Sequence, residues 1–149
     1  MVPSAARNPS CARTLYYNRR LLHAVCLGKE SLKSTMSYLV TPFDVSSKAL
    51  GGNVHCRFVH LLSGIATRHS DTIDCVFLQD GKRVMVAIAC AALTELRDKE
   101  HKYLTDQQLA EVAALYLRRT LEQGYDATAS EVYLDGEQLR SLARELGFM

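Results

Sequence analysis

His55, Cys56, His60, His69 and Cys75 are the best candidates for metal chemistry in this chain of 149 residues. Zinc needs three or four imidazole or thiolate ligands converging tetrahedrally, most often from C-x2–4-C or H-x3–5-H pairs. His55 and His60 satisfy the histidine half of that rule, with Cys56 between them, but no cysteine pair completes the set. The competing reading is two solvent-facing histidines and one packed cysteine. Nucleophilic chemistry has less to stand on. A serine or cysteine needs a base beside it in space, and Ser63, His69 and Asp71 are close only in sequence. Ser63-Gly64 lacks the glycine-flanked elbow of the serine hydrolases. Gly51-Gly52 belongs to no phosphate-binding pattern. Asp71 with Asp74, and Asp98 with Glu100, fall in turn-like or charged stretches and read as solvated surface. No catalytic residue and no cofactor is expected, and no small-molecule ligand is indicated.

A second chemistry lies near the start. In RTLYYNRR, Arg13, Arg19 and Arg20 surround Tyr16 and Tyr17. Cations of this kind meet phosphates and phenol rings stack on bases, as in single-strand binders. The blander reading is a frayed basic terminus. Residues 1–35 carry Arg7, Arg13, Arg19, Arg20, Lys29 and Lys33 against Glu30 alone, a net of +5. The other 12 basic and 15 acidic residues leave 36–149 at −3. Three origins suit such a basic, disordered leader: in-frame sequence ahead of a true start at Met36, a flexible arm, or a targeting peptide. Nucleic acid is a partner only if residues 1–35 belong to the protein.

Apolar content of 48% and charged content of 23% suit a globular chain, and the length suits one domain, placed at 36–149. Cys11, Cys26, Cys56, Cys75 and Cys90 are odd in number and form no C-x-x-C pair. A reducing cytoplasm is therefore the expected compartment. The longest apolar run, Val84 to Leu93, has ten residues and is too short to cross a bilayer as a helix, so no membrane partner is expected.

The elements that would position these groups follow from patterning. The spacing predicts a strand over Ile73–Leu78, a tight turn at Asp80-Gly81 and a returning strand over Lys82–Ile88. Val84, Val86 and Ile88 share one face and Met85 and Ala87 the other, so both faces of that strand are apolar. Met36–Gly52, with Pro42 and Gly51-Gly52, reads as irregular with one extended piece. Val54–Ala66 is ambiguous: Val54, Cys56 and Phe58 alternate as in a strand, whereas Phe58, Leu61, Leu62 and Ile65 follow helical spacing. We expect a strand passing into a short helix. Helices are expected over Ala89–Arg97, from Thr105 to Gly124, and from Asp135 to Gly147, with a strand over Glu131–Leu134. Thr105 and Gln108 form a capping box, and Gly124 and Gly147 are natural stops. The result is an α+β fold with a small antiparallel sheet, the hairpin plus one further strand, packed against two or three helices.

The run V-F-L-x-D-G-K-R-V-x-V-A-I, then A-L-x-x-L, a long helix and V-Y-L-D-G-E-Q-L, resembles a bacterial family of short proteins of unknown function. The likeness covers Ile73 to Leu139 and implies a fold but no activity. Where the family motif places serine this chain has Ala89, which forfeits a helix cap typically worth about 1 kcal/mol. Non-enzymatic partner binding is the expected class of function. A second copy covering the apolar strand would make a homodimer.

Overall fold

Local chemistry explains most of the elements in the computed structural model, which describes residues 38–64 and 71–149. Strands β1 (Phe43–Ser47), β2 (Gly52–Gly64), β3 (Thr72–Gln79) and β4 (Lys82–Ala89) come first. Helices α1 (Cys90–Glu100) and α2 (Asp106–Glu122), strand β5 (Val132–Leu134) and helix α3 (Gly136–Glu145) follow. The sheet order is β1-β2-β3-β4-β5, antiparallel except for the β4–β5 pair, which is parallel. The fold is α+β, and its sheet has five strands where three were expected.

Asp80 (φ 48°) and Gly81 (φ 82°) both adopt positive φ, the requirement of a two-residue hairpin turn with the right twist. Thr105 accepts from the Gln108 amide while the Gln108 side chain accepts from the Thr105 amide. Asp135 and Gln138 repeat that box at the start of α3. Helix α1 has Ala89 as its N-cap residue and so no side-chain cap. At the end of α3 Gly147 (φ 74°) turns the chain, and Phe148 N–H donates to the Ala143 carbonyl at 2.9 Å. Gly147 N–H donates to the Arg144 carbonyl at 3.0 Å, completing a Schellman motif.

The core lies between the sheet and α2 with α3. Phe43, Val45, Val54, Cys56, Cys75, Phe77, Val84, Val86, Ile88, Val132 and Leu134 supply the sheet side. Leu109, Val112, Ala113, Leu117 and Leu121 answer from α2, and Leu139, Leu142 and Ala143 from α3. The Arg118 guanidinium sits 4.9 Å from the centre of the Phe43 ring, tying α2 to the edge strand β1 by a cation–π contact. Between α1 and α3, Arg140 approaches Glu95 at 3.5 Å and Arg144 reaches Glu100 at 3.1 Å.

Two expectations are corrected here. Met36–Gly52 is not merely irregular, since Phe43, Val45 and Ser47 point inward along β1. Pro42, which has no N–H to give to a ladder, stands immediately before the strand's first residue. Val54–Gly64 is strand throughout, with no helix in it. The helical spacing has a local cause. The β2–β3 register shifts between Phe58 and His60, so Val59 is an extra residue in the ladder. Phe58 (opposite Phe77) and Leu61 (opposite Cys75) therefore share the core face at a separation of three, the spacing of a helix.

Candidate functional site

The sequence-nominated ligands are parted by the strand that carries them. His55 and Cys56 are successive residues of β2 and point to opposite faces. Cys56 is fully buried in the core, while His55 is exposed, with Nδ1 2.8 Å from Asp44 Oδ1 on β1. An exposed pair of this kind contributes little. His60 lies on the same side of the sheet as His55 but five residues further on, roughly 16 Å at about 3.3 Å per residue. Cys75 belongs to the core and His69 lies outside the described residues. Among the described residues no three His, Cys, Asp or Glu side chains gather as metal ligands. Arg13, Tyr16, Tyr17, Arg19 and Arg20 also lie outside the described residues.

Burial governs the thiols. It pushes Cys75 up to about 12, helped by the negative charges of Asp74 and Asp106. Cys56 is pushed up to about 11 for the same first reason, with Asp80 and Asp44 adding to it. Cys90, half-buried at the start of α1, is also raised by burial. The thiolate is the nucleophile and the metal ligand, so a group with a raised pKa stays protonated and inert at neutral pH. Iodoacetamide at pH 8 is therefore expected to leave Cys56 and Cys75 unmodified in the folded protein and to label both in urea. Peptide mass mapping reads the result, and native labelling of Cys75 as fast as in urea would contradict this account.

A different feature stands out at the sheet margin. β1 pairs with β2 only from Gly52 to Cys56. From Arg57 to Gly64, β2 pairs with β3 on one side, and among the described residues no strand runs along its other side. Among the described residues this half-strand is therefore an open edge. Beyond the exposed cation Arg57 at its start, its side chains are mostly uncharged. Val59, the bulged residue, is 40% exposed and Leu62 is 44% exposed. From Phe58 to Ser63 the only titratable side chain is His60. Tyr38 packs edge-on against Phe58 with ring centres 5.6 Å apart, and Phe58 in turn meets Phe77 at 5.3 Å. The root of the edge is thus held by a stack of three rings.

No protein-family model, curated protein or solved structure matches this chain. Function must therefore be read from its geometry.

The opposite margin ends in β5, only three residues long. Sequence reasoning nominated neither the β2 edge nor the residues around β5. Val59 and Leu62 were the available signal for the edge, but the helical spacing of the segment obscured it. No helix among the described residues is long and apolar enough to cross a membrane.

Proposed function

We propose that this protein is a non-enzymatic, self-associating module that pairs with a second copy through the open half of β2. The observation that carries the reading is the edge itself: among the described residues Arg57–Ser63 pairs with β3 on one side only, and Val59 and Leu62 are exposed. A long, exposed, apolar edge is a template for another strand. Antiparallel pairing of a strand with its own copy has two-fold symmetry and closes on itself, so it yields a dimer and not a filament. Two five-stranded sheets would then continue into one another across the axis.

The sequence pattern gave another reason for a second copy, the two-sided apolar character of Val84–Ile88. On the second face of that strand Ala87 is fully buried and Met85 is half-buried. The exposed edge supports association more directly than this face does. The resemblance to the bacterial family of short proteins remains a proposal about ancestry and adds no activity.

The test is molar mass by light scattering across a dilution series of the full chain, with Val59→Lys and Leu62→Lys variants alongside. The unaltered protein is expected to approach twice the chain mass at high concentration. Each lysine, placed on an exposed side chain at the edge, is expected to weaken association by tenfold or more through charge repulsion across the axis. Circular dichroism should show both variants folded. A monomer at every concentration, or lysine variants that associate as well as the parent, would overturn the reading.

A further inference from the structure

The open half of β2 carries one group whose charge can change near neutral pH. From Phe58 to Ser63 the only titratable side chain is His60, and it is half-buried. Histidine is the side chain that ordinarily gains or loses its proton between pH 5 and 8. His60 also stands at the midpoint of Arg57–Ser63, three residues from either end. Among the described residues no hydrogen bond or ion pair holds its ring.

Two-fold symmetry gives that position a consequence. When identical patches pair, a residue at the axis meets its own copy. Full antiparallel overlap of Arg57–Ser63 with a second copy sets the two His60 side chains opposite one another, with Cβ atoms about 5 Å apart. A register shifted by one or two residues still leaves them within about 10 Å, the reach of a charge at moderate salt. Like charges directly opposite on paired strands are destabilising.

The surrounding charges do not relieve that repulsion. Alternation along the ladders places Leu78, Val76 and Asp74 of β3 on the sheet face of Arg57, His60 and Leu62, and Arg83, Met85 and Ala87 of β4 beyond them. Arg57, Asp74 and Arg83 are therefore the charged groups nearest His60 on this face. Two of the three are cations, and the carboxylate, Asp74, already accepts from the Thr72 hydroxyl at 2.8 Å. The exposed His55 and Asp44 pair with each other further along the sheet. Helices α2 and α3 cover the opposite face, and α1 packs on β4 and α3.

From this lone ionisable ring at the centre of a self-pairing edge, we infer that mild acid dissociates the dimer: the edges pair while both His60 rings are neutral and repel once both are protonated. The inference rests on association through β2. Its sign follows from linkage. Pairing disfavours the proton on His60, so association is complete on the alkaline side and is lost as pH falls through the histidine range.

The dissociation constant of the full chain is measured by analytical ultracentrifugation at pH 7.5 and 5.5 at equal ionic strength, with circular dichroism at both. Ordinary carboxylates keep their charge throughout this window. The constant is expected to rise about tenfold at pH 5.5, the order of one close like-charge pair near a protein surface, and to rise more at low salt. His60→Gln should show the same constant at both values, and His60→Lys should associate weakly at both. His55→Gln should keep the response of the parent. A dimer with one constant at both pH values, or a His60→Gln variant as pH-sensitive as the parent, would overturn the inference and leave association through β2 standing. Loss of the fold itself at pH 5.5 would place the response elsewhere and also overturn it. A monomer at pH 7.5 would remove the association and this inference together.

Discussion

Phe77→Ala is expected to cost about 3–5 kcal/mol of folding stability, the range for removing a large aromatic side chain from a core. Phe77 is fully buried near the middle of β3. It faces Phe58 on one neighbouring strand and Val84 on the other, and its ring meets Phe58 edge-on at 5.3 Å. Both neighbours are held in register by backbone ladders. The vacated volume therefore cannot close without moving a strand, which places this site towards the costly end of the range. The Phe58–Phe77 aromatic contact is lost as well, itself worth about 0.5–1.5 kcal/mol beyond area. Urea unfolding followed by circular dichroism would read the change as a shift in midpoint at constant slope. A loss under about 1 kcal/mol would mean that Phe77 is not packed as described.

The second large effect lies at the far end of β2. Gly64 stands opposite Thr72 on β3, and a Cβ added there would lie 2.6 Å from Thr72 Oγ1 and 3.0 Å from Asp74 Oδ2. Real Cβ atoms do not tolerate the first distance, so something must shift. Thr72 has little freedom to yield, being 1% exposed and donating its hydroxyl to Asp74 Oδ1 at 2.8 Å. Asp74 is itself buried. Moving either group strains a hydrogen bond that satisfies a buried carboxyl, which is expensive to disturb. Gly64→Ala is therefore expected to destabilise by about 1–3 kcal/mol, the usual cost of overpacking. Thr72→Ser in the same background removes a methyl, frees the hydroxyl to rotate and should recover part of the loss. An alanine variant as stable as the parent would show that the β2–β3 ladder does not close as tightly at Gly64 as the register requires.

What the sequence disclosed depended on whether the signal was local. The Asp80-Gly81 turn, the two capping boxes and the Gly147 stop each depend on residues within a few positions of one another, and all of them were legible. The long helix was equally plain, because Leu109, Val112, Ala113, Leu117 and Leu121 keep helical spacing over its length and all five are buried. Strand β2 was not legible beyond its first half. A single bulge at Val59 turns a two-residue period into three, and only the partner strand reveals that an extra residue is present. Strand β1 was hidden by its length of five residues and by Pro42 beside it. The candidate site was missed for the same reason. Whether an edge is open depends on where a neighbouring strand stops pairing, and β1 pairs only as far as Cys56.

Association through the β2 edge is tested most directly by amide hydrogen exchange of the full chain at low and high protein concentration. Pairing with a second copy would engage the outward amides of Arg57–Ser63 in new hydrogen bonds. Those amides are expected to exchange at least tenfold more slowly at high concentration, while the Lys82–Ala89 amides of β4 exchange alike at both. If the Arg57–Ser63 amides exchange at the same rate at every concentration, or if protection grows elsewhere on the molecule instead, the edge is not the interface.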